Sequence, residues 1–170
     1  MLWTLSDFWT VIVNVLAWLL IHLSVPFIIT QFRAERFDPA ARLYRKRSWE
    51  REGDLYRTVF WAHKWKRLLP DGAAWFRKGF PKKTLQSRSP EYLNRFVRET
   101  CRAELAHYLV MAFAPFFFLW NPAWIGWLMI LYAFLANGPC IVTQRYNRIY
   151  FNRLLTQLAE KPKPPDPSML

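Results

Sequence analysis

The chain has 170 residues, with 24 Lys and Arg against 12 Asp and Glu, a formal net charge of +12, and a composition that is 53% hydrophobic and 18% aromatic. That combination excludes an ordinary soluble domain: the apolar residues are gathered into three long runs, and the cations fill the intervals between them. It also argues against nucleic acid as the partner of a pI near 10.2, because three spans already set the cations beside anionic lipid.

The first apolar run, residues 8–29, is long enough for a helix to cross about 30 Å of hydrocarbon. No Lys or Arg precedes it and no small-residue cleavage site follows, so it reads as an uncleaved anchor and not a secretory signal. Pro26 predicts a bend in it. Asn14 and His22 are its notable polar groups, and His22 reads either as a helix-to-helix hydrogen bond or as a catalytic group.

Between Gln31 and Arg102 stand 19 of the 24 basic residues, against eight carboxylates. The positive-inside rule places this segment in the cytosol, which puts the amino terminus outside the cell membrane and the carboxyl terminus inside. Residues 32–54 alternate in charge and predict a solvated helix, with Asp38 as N-cap and Pro39 in its first turn. Residues 55–69 predict a helix in the headgroup layer with Val59, Trp61, Trp65 and Leu68 toward the bilayer. Two turn signals follow, Pro70-Asp71-Gly72 and Gly79-Phe80-Pro81. The loop they shape, with Trp75, Phe76, Phe80, Lys82 and Lys83, reads either as a holder of a phosphate-bearing ligand or as a re-entrant anchor.

Ser89-Pro90-Glu91 is a helix start: an N-cap hydroxyl, proline in the first turn and a carboxylate at the positive end of the dipole. The helix it opens runs into the apolar stretch 105–120. Those sixteen residues span only about 24 Å, so the membrane helix extends backwards and draws in Glu104 and His107. Asn121-Pro122 makes a corner, and residues 123–142 return. Counted from the corner, His107 lies about 20 Å up one arm and Asn137 about 21 Å up the other, which sets both at one depth. An amphipathic helix then continues from Gln144. The expected architecture is an all-α integral membrane protein with three transmembrane helices, at about 8–30, 102–120 and 123–143, and a basic cytoplasmic helical and loop segment, 31–101, between the first and second. Residues 1–160 form one membrane domain, and the KPKPPDP tail, 161–170, is expected to be disordered.

Polar groups at membrane depth are costly and mark a functional site by default. Glu104 and His107 share a helix face, a pairing that suits a general base and equally a buried ion pair. Asn137 and Arg145 are candidates to stabilise an oxyanion, with Gln144 and Asn147 as substrate contacts. Arg148, Lys82 and Lys83 are candidates for a donor's phosphates, although arginines at a helix end also read as snorkelling side chains. His63 and Asp71 form a second candidate acid–base pair. Cys101 or Cys140 as an acyl-carrying nucleophile is a minor variant. The three histidines show no metal-ligand spacing, and no glycine-rich nucleotide fingerprint occurs, so neither a metal nor a tightly bound cofactor is expected.

The blocks WKRLLPDGAAWFRKGFPKK, ETCRAELAHYL, FFLWNP and ANGPCIVTQRYNR, in this order between about Trp61 and Leu155, resemble the glycosyl-4,4'-diaponeurosporenoate acyltransferases, small membrane enzymes of staphyloxanthin-type carotenoid synthesis. The resemblance implies transfer of a fatty acyl chain to the sugar hydroxyl of a glycosylated carotenoid or similar glycolipid. The acyl-CoA, acyl carrier protein or phospholipid that donates the chain acts as co-substrate, and other pathway enzymes are possible partners. It supplies no residue-level mechanism, and the common acyltransferase pattern of a His with an Asp five positions on is absent at His22, His63 and His107. The alternative from another class is a non-catalytic membrane scaffold or lipid-binding subunit.

Overall fold

The computed structural model describes residues 6–66, 68–69, 79–82 and 85–160. Among these there is no strand, and three helices are long and apolar enough to cross a membrane. Helix α1 is Asp7–Gln31 and continues through Pro26. After it come two 3-10 segments, Ala34–Arg36 and Ser48–Gly53, and the short helices α2 (Asp54–Thr58) and α3 (Ala62–Trp65). Helix α4 is Pro90–Ala112, prolonged by a 3-10 stretch, Ala114–Leu119, and α5 is Ala123–Glu160.

Local chemistry explains the long elements. Ser89 Oγ accepts the Tyr92 amide at 3.2 Å, with Pro90 in the first turn, so α4 begins where its cap predicts. Pro115 lacks the amide that would continue an α-helix, and the chain tightens to 3-10 geometry before the Asn121-Pro122 corner. Gly126 makes the return possible: a Cβ there would sit 2.5 Å from the Phe118 ring. Helix α5 then runs unbroken for 38 residues, about 57 Å, so the return span and the amphipathic continuation are one rod.

Apolar side chains of α1 such as Leu16, Leu20, Phe27 and Ile28 are exposed, as are Trp124, Trp127, Leu131 and Leu135 of α5. In lipid these faces gain nothing by pairing, so packing and interhelical hydrogen bonds must join the helices. Trp18 stacks on Phe117 with ring centroids 4.5 Å apart, and its indole N–H meets Met129 Sδ at 3.2 Å. At the corner, Asn14 and Asn121 exchange amide bonds of 2.9 and 2.8 Å, and Trp120 Nε1 donates to Asn14 Oδ1 at 2.8 Å. This amide latch pins α1 to the hairpin. Away from the corner a second core forms around Phe80, Leu93, Phe96, Val97 and Phe151.

Two expected helices are absent. Of the expected helix over 32–54, residues 32–53 form instead a strap with no α-helix, and Asp38 makes only a local turn, its carboxylate accepting the Ala40 amide at 2.9 Å. The reason lies in its carbonyls: those of Phe32, Glu35, Leu43, Tyr44, Arg45 and Glu52 accept from Arg102, Arg98, Arg145, Arg148, Arg145 and Arg153 in turn. A helix would turn those oxygens to its own amides. Residues 55–69 break into α2 and α3 at Trp61, whose φ is 46°. The break brings Tyr56 and Ala62 inward against Ile149 while Val59, Trp61 and Leu68 stay exposed. The tail 161–170 lies outside the described residues.

The latch yields a prediction. Asn14→Leu and Asn121→Leu should each lower stability by about 1 kcal/mol, and the double variant by little more than either, because each amide is the other's partner. Thermal unfolding in one detergent, read for all three proteins, checks it; additive losses would show that the two act separately.

Candidate functional site

Because α4 and α5 run antiparallel from the corner, Glu104 faces Arg145 and Arg148, and the strap brings in Glu50 from outside the hairpin. Arg145 Nε donates to Glu50 Oε1 at 2.8 Å, Nη2 to Glu50 Oε2 at 3.0 Å, and Nη1 to Glu104 Oε1 at 2.8 Å. Its remaining donors go to the carbonyls of Leu43 and Arg45, both at 3.3 Å, so all five N–H groups are engaged. Arg148 pairs with Glu104 Oε2 at 2.5 Å and donates to the Tyr44 carbonyl at 3.1 Å. Two carboxylates and two guanidiniums thus form a neutral buried quartet, with Glu50 and Glu104 both fully enclosed.

Burial pushes the Glu50 carboxyl up, but bonds from Arg145, the Tyr56 hydroxyl and the Arg47 amide outweigh it and hold the group below its ordinary range. Burial and the neighbouring Glu50 charge raise Tyr56, which stays a neutral donor to that carboxylate at 2.5 Å. Burial likewise raises Tyr44, to about 12. The left-handed turn at Arg51, Glu52 and Gly53 lets Glu50 point inward while Glu52 turns out to Lys46 and Arg153. Gly53 has φ 91°, and a Cβ built there would sit 3.3 Å from the Ile149 side chain.

Nearer the corner, Asn137 Oδ1 lies 3.0 Å from His107 Nδ1, so the two residues counted to one depth are in hydrogen-bond contact. The tautomer follows from the network. Asn137 Nδ2 donates to the Ala133 carbonyl at 3.0 Å, which turns its Oδ1 to the imidazole. An oxygen acceptor needs a proton on Nδ1, and the neutral ring then carries its lone pair on Nε2. Asn137 is 1% exposed and His107 half-buried. His22 and Lys82 lie within electrostatic reach of the His107 ring.

The expected carboxylate support is arranged differently. Glu104 Oε1 accepts from Arg145 and, at 2.9 Å, from the Tyr108 hydroxyl, Oε2 is ion-paired with Arg148, and no bond joins the carboxylate to His107. Arg145 lines a groove of about 420 Å3 with Trp49, Phe60 and Val142, yet its donors are all held within the fold. Arg148 is 3% exposed, which leaves it little surface for a phosphate. Asn147 accepts from Lys66 at 3.1 Å, and Gln144 Oε1 is buried without a hydrogen-bond partner among the described residues. Lys82 donates to the Phe80 carbonyl at 3.2 Å. His63 is exposed on α3, while Asp71 and Lys83 lie outside the described residues. Cys101 and Cys140 are free thiols, Cys101 fully buried beside Arg148. Among the described residues no cluster of His, Cys, Asp or Glu could hold a metal ion.

Glu50, Tyr56 and the strap carbonyls were missed by sequence reasoning. One signal pointed there: two arginines at the end of α5 need two carboxylates, and Glu104 supplies only one.

The chain is therefore an all-helical membrane protein with a hydrogen-bonded His–Asn pair between two of its apolar helices and a buried ion quartet beside it. Residues 40–157 match the family model described as glycosyl-4,4'-diaponeurosporenoate acyltransferase, and the chain belongs to this family of acyltransferases. Similar proteins of that name come from Staphylococcus aureus strains bovine RF122 / ET3-1, Newman and USA300, at 27%, 27% and 26% identity over 144 residues. Each alignment covers 85% of this chain and 87% of the relative. No solved structure matches the chain.

The quartet makes stability depend on acid. With its folded pKa depressed, Glu50 contributes stability that is present above the ordinary 4.5 and is lost as pH falls through the lower folded value. Melting temperature measured from pH 7 to 3 should drop below about pH 4.5 for the wild type. Glu50→Gln should start lower and fall less steeply; a parallel acid profile in both would remove Glu50 from this role.

Proposed function

We propose that the chain transfers a fatty acyl group to a sugar hydroxyl of a glycosylated carotenoid or a similar glycolipid, with His107 as general base. The observation that carries this is the Asn137-bound Nδ1, which assigns the lone pair to Nε2 at a depth where an amphiphile's reacting groups lie. Counted from Ala123, Asn137 is about 21 Å along α5 and Arg145 about 33 Å, so the His–Asn pair lies inside a hydrocarbon layer of about 30 Å and the quartet at its boundary. The names of the relatives specify a glycosyl polyene ester as their substrate, which supports the acceptor.

In this reading Nε2 takes the hydroxyl proton as the sugar oxygen attacks the acyl carbonyl. The tetrahedral intermediate collapses, its bond to the leaving group breaks, and the proton on His107 passes to that group. Asn137 holds the ring in the active tautomer and accepts from Nδ1–H throughout. A thioester or phospholipid donor fits equally; Lys82, with Lys83 beside it in sequence, is the proposed contact for donor phosphates. Arg145 and Arg148 serve by holding Glu104 and the strap, leaving the oxyanion to other donors. No tightly bound cofactor enters the reaction. We place the basic segment and the carboxyl terminus in the cytoplasm, with the amino terminus outside, because 19 of the 24 basic residues stand between Gln31 and Arg102.

Orientation is tested by labelling intact cells: a cysteine at the exposed Ala123 should react from outside, and one at Arg88 only after permeabilisation. Reversed labelling would invert the topology. For the chemistry, His107→Gln keeps a side chain able to bond Asn137 but supplies no base. It should fold, with turnover down by about a hundredfold to ten-thousandfold in an assay with acyl donor and glycosylated acceptor. A folded His107→Gln protein with near wild-type turnover would end the general-base assignment.

A further inference from the structure

Helix α1 carries a second imidazole that the proposed reaction leaves unused. His22 is half-buried, and its Nε2 is enclosed with no hydrogen-bond partner among the described residues. The usual reason for a membrane histidine, a bond between helices, is met elsewhere on α1: Asn14 bonds Asn121, and the Trp18 N–H goes to Met129. An imidazole nitrogen sealed from water and lipid without a partner is retained at a cost, which points to a partner that arrives with a ligand.

The surroundings define that ligand. The His22 ring lies against Trp18 at 5.5 Å and edge-on to Tyr132 at 6.1 Å between centroids, so the enclosed nitrogen belongs to a ring set between two flat aromatic walls. Tyr132, 42% exposed, is the outer wall and the side chain whose turning would admit a molecule from the bilayer. Tyr132 lies five residues, about 7.5 Å, closer to the corner than Asn137 along α5. A donor for a ligand oxygen therefore stands one short step deeper in the membrane than the proposed base, between walls suited to a conjugated chain.

We propose that His22 Nε2–H donates a hydrogen bond to the ester carbonyl that joins the sugar of the acceptor to its polyene acid, while the sugar hydroxyl lies at His107. This rests on the proposed function: a glycosyl polyene ester carries a carbonyl about one hexose away from the hydroxyl that is acylated, and the polyene beyond it continues toward the corner. His22 thus selects an ester-linked acceptor and fixes its depth, with no part in proton transfer.

The test compares two probes, a glucosyl ester of an all-trans polyene acid and the glucosyl ether of the matching polyene alcohol, bound to purified full-length protein in nanodiscs and read by polyene absorbance. Wild type should bind the ester about tenfold more tightly than the ether. His22→Phe, which keeps a flat ring between Trp18 and Tyr132, should weaken the ester about tenfold, leave the ether unchanged and retain the melting temperature. His22→Gln keeps an N–H and should recover most of the ester preference; in turnover assays His22→Phe should raise KM for the ester acceptor with little change in kcat, and His22→Gln should stay near wild type in both. No ester preference in wild type, or a preference that His22→Phe leaves intact, overturns the proposal. A loss by His22→Phe that is equal for both probes, or that comes with a fallen melting temperature and no recovery in His22→Gln, assigns His22 to packing and overturns it too. If wild type makes no acylated product from any donor, the proposed function fails; if it turns over but the ratio does not move, only the His22 assignment does.

Discussion

The fold depends on the saturation of one guanidinium. Arg145 is carried on α5, 7% exposed, and a charge at that position is tolerated only because every N–H finds an acceptor. Those acceptors come from three separate places: Glu104 on α4, Glu50 on the strap, and the strap's own carbonyls at Leu43 and Arg45. Removing either carboxylate leaves buried charge uncompensated, a loss of about 3–5 kcal/mol. The same need explains why the strap is not helical, since its carbonyls must face the arginines of α4 and α5. Arginine is required over lysine, because only the planar fork reaches two carboxylates and two carbonyls on α4 and the strap at once.

That network is one of two polar fastenings that bracket an apolar slab. The other, Asn14 with Asn121 and Trp120, uses neutral amides and joins α1 to the corner. The difference follows position. At the corner two amides satisfy each other without any charge, whereas the far end of α5 meets the basic strap, and carboxylates are needed to balance it. The corner joins α4 to α5 through the chain and the quartet ties them again farther along, which holds His107 opposite Asn137.

What could be read from the sequence follows the range of each signal. The Ser89-Pro90-Glu91 start and the Asn121-Pro122 corner are local, and the structure contains both. The His107–Asn137 level was legible because two helices leaving one corner share a ruler of about 1.5 Å per residue. The strap was not: Glu50 sits in a run of alternating charge that any solvated helix would show, and its partner is 95 residues away. Nor does a left-handed backbone at Trp61 have a sequence signature. The pairing of Glu104 was ambiguous for a further reason: spacing put both His107 and Tyr108 within its reach, and only the position of α5 decided that its charge would go to arginine.

That decision shapes the chemistry. A carboxylate beside His107 would stabilise the imidazolium, but it would also keep a charge buried in the hydrocarbon between turnovers. The amide of Asn137 also orients the ring and adds no charge of its own, so a neutral imidazole held there needs no counter-ion at that depth. Charge then appears in the proposed reaction only while the proton rides on His107, when a tetrahedral oxyanion of opposite sign is forming next to it. The two charges arise together and vanish together, which a low-dielectric site favours over a permanent ion pair. Committing Glu104 to Arg145 and Arg148, one turn nearer the membrane boundary, therefore keeps the structural charges out of the layer in which the proposed reaction would take place.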